Sequence, residues 1–328
     1  MELLLLPFLG TPVWMWATFL LIVIALLAFD LGILNKEDRE IGVHESLQLS
    51  SLYIALGLAF GGFVWWQAGS TAAAEYWTAF VVEKSLALDN IFVIALIFSF
   101  FSIPRAYQHR VLFWGILGVI VLRALMIGFG AAIVSSYAWV LYVFAAFLIL
   151  TGVKMLFTAE KEHDLSTNPA LRFIRRHFRV AERLEGSAFF VRVTNASGTA
   201  SWIMTPLFLA LIMVELADVV FAVDSIPAVF AITTDPFIVY TSNIFAILGL
   251  RALYFALAAI LHRFAYLKQA LAVLLVFIGG KVFAADLLGI GKFPPALSLG
   301  VTFAILGAGV GWSLWKTRGA AASEIAKG

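Results

Sequence analysis

Acidic side chains recur at the same spacing in two apolar stretches of the chain. In each stretch two acids lie six residues apart and a small polar residue follows them. The residues are Glu83, Asp89 and Asn90 in the first stretch, and Asp218, Asp224 and Ser225, preceded by Glu215, in the second. These side chains offer only oxygen ligands, which suit Mn²⁺, Mg²⁺ and Ca²⁺ better than copper or thiolate-held zinc. We therefore interpret them as candidate ligands of a hard divalent cation.

The composition places these acids inside a membrane. The 328 residues are 62% hydrophobic and 13% charged, and the mean hydropathy is +0.99, whereas soluble domains are about 25% charged. Apolar residues occur in runs of about twenty, the length that crosses the hydrocarbon core of a bilayer. The sequence therefore predicts an all-α polytopic membrane protein, with no nucleic-acid partner. Cysteine is absent, which excludes disulfides and thiolate metal sites.

The apolar runs predict nine transmembrane helices. They cover about residues 13–34, 46–66, 74–100, 110–134, 137–157, 201–229, 238–261, 267–288 and 296–316. Lys and Arg concentrate in the odd-numbered connections and the C-terminal tail, and Lys292 alone lies in an even-numbered one. Since basic residues favour the cytoplasmic side, we expect the N-terminus outside and the C-terminus in the cytoplasm.

The long connection over residues 158–200 is expected to be a cytoplasmic basic loop. Within it, residues 171–184 alternate arginines with apolar residues at helical spacing. This pattern is typical of an interfacial helix on anionic lipid. A basic topology anchor without a regulatory role is the competing interpretation.

The charge pattern of residues 73–157 recurs in residues 201–289. Beyond the acidic stretches, the matching residues are Arg123 with Arg251 and Lys154 with Lys281. Each unit contains three predicted helices, so the second copy would enter the membrane from the opposite side. Such inverted repeats place substrate sites near the midplane of the bilayer. We thus predict one membrane domain over 1–328, with peripheral helices in 1–66 and 296–316.

Charges inside the predicted spans need partners, because a charge at the bilayer centre costs about 2.5–3.5 kcal/mol. Arg123 and Arg251 lie deep, so each should contact a buried carboxylate. Structural ion pairing is the competing interpretation for every charge in the spans, although the acids outnumber the bases. The supporting ion-pair or coupling residues are Asp30, Arg123, Arg251, Lys154 and Lys281.

Helix geometry limits which acids can meet. Residues seven apart share a helix face, whereas residues six apart differ by about 120° around the axis. Glu83 therefore shares a face with Asn90. Pro227 removes a helix hydrogen bond, and we predict a local break there that turns Asp224 toward the other acids. Because clustered carboxylates repel one another, protons are expected to replace the metal when it leaves.

The two acidic stretches resemble the signatures of the TerC family of integral membrane proteins, as do residues 29–32 and 251–254. The resemblance covers nearly the whole chain. It implies a manganese exporter of a bacterial inner membrane, in which the five acids of the two stretches handle the metal. Mn²⁺ would then be the transported ion, with Mg²⁺ and Ca²⁺ also suited to the ligands, and no cofactor would be permanently bound.

Two other functions compete with transport. One is a non-transporting membrane partner that assists maturation or metallation of other membrane or secreted proteins. The other is an intramembrane enzyme, which is disfavoured because the chain has neither a His-Glu-x-x-His zinc motif nor a Gly-x-Ser-x-Gly elbow. Metal flux through liposomes that contain the purified protein separates transport from both.

Overall fold

The computed structural model describes residues 6–32, 42–157, 169–181, 183–194, 200–257, 267–290 and 293–325. Its helices are α1 (Val13–Gly32), α2 (Val43–Phe100), α3 (Arg105–Ser136), α4 (Val140–Phe157), α5 (Pro169–His177), α6 (Pro206–Phe230), α7 (Pro236–Leu248), α8 (Leu250–Leu257), α9 (Leu267–Leu287) and α10 (Pro295–Ile325). Two antiparallel hairpins accompany them: β1 (Pro7–Phe8) with β2 (Thr11–Pro12), and β3 (Phe190–Thr194) with β4 (Ala200–Met204).

The predicted all-α polytopic fold is confirmed, and within the described residues each predicted span overlaps a helix. Six helical segments of the described residues are long and apolar enough to cross a membrane, and one of them, Pro236–Leu257, comprises α7 and α8. The predicted spans 46–66 and 74–100 are the two arms of α2, which Gly69 divides with a φ of 87°. Only glycine adopts this backbone conformation without strain. The arms run antiparallel, and the Tyr76 hydroxyl donates to the Gly57 carbonyl at 2.9 Å.

The predicted start of the sixth span at residue 201 is wrong. Residues 200–204 form β4, and α6 begins only at Pro206. Thr205 caps the helix, because its side-chain oxygen accepts from the Phe208 amide, and proline occupies the first turn. A capping hydroxyl followed by proline is a standard helix start, and Asp235 with Pro236 begins α7 in the same way.

The predicted helix break at Pro227 is also wrong. Helix α6 runs through Pro227 to Phe230, and the break lies instead at Gly249, between α7 and α8. A helix end leaves carbonyl groups without intrahelical partners, which is costly in an apolar environment. The Lys84 ammonium donates to the Ala246 carbonyl at 2.8 Å. Lys84 therefore supplies a hydrogen-bond donor at the break.

The basic helix of the long loop is shorter than predicted. Helix α5 ends at His177 rather than near residue 184. Its apolar residues Leu171 and Ile174 are buried and pack into a cluster with Phe101 and Leu112. This face contacts the helical bundle and is not available to lipid. The arginines of α5 are exposed, and their contact with anionic lipid stays a prediction.

Helices α4 and α9 pack together through a reciprocal pair of glycines. A Cβ atom on Gly152 would lie 2.6 Å from the Ala272 carbonyl oxygen, and one on Gly279 would meet the Ala145 carbonyl oxygen. Gly152 thus faces the residue seven positions before Gly279, and Gly279 faces the residue seven positions before Gly152. This pairing requires the two helices to run antiparallel. This reciprocity is what an inverted repeat would produce, and the repeat itself stays a prediction.

We expect Gly279→Ala to destabilise the protein. Its new methyl group would lie 2.9 Å from Ile149 Cγ1 and even closer to a backbone carbonyl, an overpacking that costs about 1–3 kcal/mol. Gly280→Ala is the matched control, since no atom lies within 4 Å of its Cβ position. Melting in detergent should show a lower transition temperature for Gly279→Ala only. Equal transition temperatures would contradict the close packing of α4 on α9.

Candidate cation site

An arginine holds two of the candidate ligands in the middle of the bundle. Helix α3 places Arg123 where its side chain is only 1% exposed. The Nε and Nη2 atoms donate to the two carboxylate oxygens of Asp218 at 3.0 and 2.8 Å, and Nη1 pairs with Glu83. Glu83 and Asp218 are themselves buried. The structure thus brings together the first acid of each sequence stretch, with a guanidinium between them.

Neutral polar groups complete this cluster. Asn90 donates to Asp218 over 3.4 Å, and the Arg123 Nη1 atom donates to Ser225 at 3.3 Å. The residues seven positions after Glu83 and Asp218 therefore point into the same network. Nη1 also donates to the side-chain oxygen Oδ1 of Asn243 at 3.2 Å. Sequence reasoning missed Asn243, although an amide within the apolar α7 was a usable signal.

Asp224 faces a separate space, which we call the Asp224 cavity. Its volume is about 90 Å³, and its polar lining includes Glu83, Asn90, Arg123, Asp224 and Ser225. The Glu83 Oε2 atom is buried without a hydrogen-bond partner among the described residues. Asp224 accepts a hydrogen bond from Thr151 at 3.4 Å. Thr151 is a second residue that sequence reasoning missed, although it directly precedes the repeated Gly152.

A second, smaller space of about 20 Å³, the Asp218 cavity, lies on the other side of the cluster. Its lining includes Asp218 and Arg251, with apolar residues of α2, α3, α6 and α7 around them. Arg251 is 3% exposed. The two arginines matched between the predicted repeats thus border different cavities, Arg123 the Asp224 cavity and Arg251 the Asp218 cavity.

The remaining predicted site residues lie around this centre or outside the described residues, and Glu215 and Lys154 act electrostatically on Asp218 and Asp224, respectively. Glu215 packs against Gly118 of α3, and neither cavity includes it in its lining. The Lys281 ammonium is buried and donates to Ser298 at 2.9 Å, whereas Lys154 is exposed. The side chains of Asp30 and Asp89 lie outside the described residues.

The structure therefore separates the acids more than the sequence suggested. Glu83 and Asp218 meet at Arg123, Asp224 faces its cavity, and Glu215 lies at the contact between α3 and α6. Within the described ranges, no three acidic or histidine side chains come together as a ready metal cage. The role of these residues in binding a metal stays a prediction.

Comparison with known proteins decides the family. The model of the integral membrane protein TerC family matches residues 68–321. The chain belongs to the TerC family. The matched range includes both acidic stretches, Arg123 and the lining of the Asp224 cavity. The chain is therefore a multi-pass integral membrane protein. No solved structure matches the chain.

Several bacterial relatives are similar over nearly their full length. An uncharacterized membrane protein of Myxococcus xanthus is 46% identical over 318 residues, which cover 97% of each chain. One of Rickettsia bellii is 45% identical over 90% of this chain and 95% of its own. The putative membrane-bound redox modulator Alx of Escherichia coli K12 is 46% identical over 306 residues, or 90% of this chain and 92% of its own.

The ion cluster predicts a large effect of Arg123→Gln on stability. The change leaves Glu83 and Asp218 buried without their cation, which costs about 3–5 kcal/mol. Arg172→Gln is the matched control, because Arg172 is exposed on α5. Adding Asp218→Asn to Arg123→Gln should restore part of the loss. If melting in detergent shows the same transition temperature for Arg123→Gln and the control, the cluster does not stabilise the fold.

Proposed function

We propose that this protein exports a divalent metal cation, Mn²⁺ in first place, across the cell membrane in exchange for protons. The observation that carries the proposal is the excess of acids over bases in the ion cluster and the Asp224 cavity beside it. Glu83 and Asp224 line that cavity with Arg123, and Asp218 binds Arg123 from the neighbouring cavity. Three carboxylates thus face two cations, the Arg123 guanidinium and the Lys154 ammonium, which acts on Asp224. When all three acids are ionised, negative charge remains inside the bundle, and a divalent cation can neutralise it.

The donor chemistry of the Asp224 cavity supports a hard cation. A carboxylate of Asp224, the unpartnered Glu83 oxygen, the Asn90 amide and the Ser225 hydroxyl border one space. Hard cations bind such oxygen ligands and tolerate mixtures of carboxylate, carbonyl and water. The cavity is large enough for an ion that retains part of its water shell, as Mn²⁺ and Mg²⁺ do in open sites.

Arg123 has a defined part in this mechanism. It holds Glu83 and Asp218 in place when the cavity contains no ion, because isolated carboxylates are expensive within a bilayer. A cation entering the cavity is attracted first to Asp224, whose contact with Thr151 is long, and then to the free oxygen of Glu83. When the ion leaves, protons on the carboxylates restore the charge balance, which couples export to proton entry.

The family and the sequence support the setting of this proposal. We infer a bacterial inner membrane from the bacterial relatives. The distribution of Lys and Arg supports an N-terminus outside and a C-terminus in the cytoplasm. The three-helix repeats over 73–157 and 201–289 would give the pathway its two halves. The Escherichia coli relative is named a redox modulator, and a redox role in this chain would not use thiols, since the chain has no cysteine. Movement of manganese, itself redox-active, is compatible with that name.

Asp224→Asn tests the proposal. The substitution keeps the shape and the hydrogen-bonding capacity of the side chain but removes its charge. We expect initial Mn²⁺ flux into proteoliposomes, per folded molecule, to fall by about tenfold or more, which corresponds to about 1.4 kcal/mol or more. Melting in detergent should be unchanged or slightly higher, because Asp224 has no arginine partner among the described contacts.

Asp286→Asn serves as the matched control, since Asp286 is exposed near the end of α9. Its flux should equal that of the unmodified protein. Full flux per molecule from Asp224→Asn would remove Asp224 from the transport path. Loss of flux in proportion to loss of folded protein would assign it a structural role instead.

A further inference from the structure

The two cavities lie in series along the bundle. On α2 the Asp224 cavity contacts Glu83 and Ala87, and the Asp218 cavity contacts Ile94, nearer the end of the helix at Phe100. On α6 the order is reversed, with Val214 in the Asp218 cavity and Ser225 in the Asp224 cavity. This reversal is expected because the second arm of α2 runs antiparallel to α6. The linings together span about 16 Å of each helix at 1.5 Å per residue.

Among the residues that the structure describes, Asn90 and Phe221 are the two that line both cavities. Phe221 lies three residues after Asp218 and three before Asp224, so its ring stands between the two acids along α6. Asn90 approaches from α2 and is held by its hydrogen bond to Asp218. An aromatic ring and a tethered amide therefore form the wall between the two spaces.

We propose that Phe221 and Asn90 form the barrier that separates the two halves of the permeation path. This inference rests on the proposed function for the identity of the ion, but the barrier is a property of the path itself. The Phe221 ring offers no ligand to a hydrated cation, and a cation that passed it would lose water without compensation. Passage then requires the ring to move, which prevents a continuous open path between Asp218 and Asp224.

The absence of native cysteine allows a direct test by single-thiol labelling. Ala217→Cys introduces a thiol in the Asp218 cavity, and Ala87→Cys introduces one in the Asp224 cavity. Each variant is placed in membrane vesicles of known orientation and treated with a charged, membrane-impermeant maleimide from either side. With native Phe221, we expect the Ala217→Cys thiol to react only from the side of residues 101–104, and the Ala87→Cys thiol only from the opposite side.

Removing the ring should abolish this sidedness. In Phe221→Ala, both thiols should react from both sides, and the rate from the formerly closed side should rise by about tenfold or more, equal to about 1.4 kcal/mol. Phe221→Leu is the substitute if Phe221→Ala does not fold. It removes less of the side chain, so its labelling rate from the formerly closed side should rise by a smaller factor. Leu86→Ala is the matched control, because Leu86 lines the Asp224 cavity alone, and it should leave the sidedness intact.

Each outcome decides the proposal. The proposal is contradicted if both thiols react from the same side when Phe221 is unchanged. It is also contradicted if each thiol still reacts from one side only in folded Phe221→Ala and Phe221→Leu. A thiol that is closed to both sides until Phe221 is shortened supports the barrier, whereas one that stays closed afterwards overturns it. Labelling does not depend on a transported ion, so sided labelling without Mn²⁺ flux would keep the barrier and reject the proposed function.

Discussion

The ion cluster of Arg123, Glu83 and Asp218 is the interaction on which the rest of the structure depends. Its charges are buried at membrane depth, where an unpaired charge is expensive, so the three helices that carry them must remain in contact. A buried ion pair is not strongly stabilising in itself, but it penalises every arrangement that separates its members. Asn243 extends the same constraint to α7. The cluster therefore specifies the packing of α2, α3, α6 and α7 more than it adds stability.

The second constraint is the close contact between α4 and α9. Gly152 and Gly279 bring the two backbones together, and small residues have this role widely in membrane helices. Thr151, which binds Asp224, directly precedes Gly152. The contact that packs α4 on α9 therefore also positions the hydroxyl that orients Asp224. The Asp224 cavity lies between the ion cluster and the α4–α9 pair, since residues of both line it.

Sequence alone predicted the helices and the polar face that Glu83 shares with Asn90, because both follow from length and periodicity. It placed the helix break at Pro227, since proline removes a hydrogen bond, yet membrane helices tolerate that loss. At the actual break, Gly249, the distant Lys84 supplies a hydrogen-bond donor to the Ala246 carbonyl. No local pattern shows such a partner.

The arrangement of the acids was predictable only in part. The cost of burying charge indicated that Arg123 has a carboxylate partner, but not that it binds both Glu83 and Asp218. That choice depends on the relative rotation of three helices, which sequence spacing does not determine. The division of the path by Phe221 was invisible for the same reason, because a phenylalanine in a membrane helix usually contacts lipid or fills the core.

Transport of a hard divalent cation in exchange for protons, as proposed for this acid-lined site, is tested by initial Mn²⁺ flux in proteoliposomes of the unmodified protein. The assay uses an imposed pH gradient, with Mg²⁺, Ca²⁺ and Zn²⁺ as competitors. We expect saturable Mn²⁺ flux that the gradient accelerates, with proton movement in the opposite direction and competition from other hard cations. Mn²⁺ flux no greater than in protein-free liposomes, with or without the gradient, would contradict it.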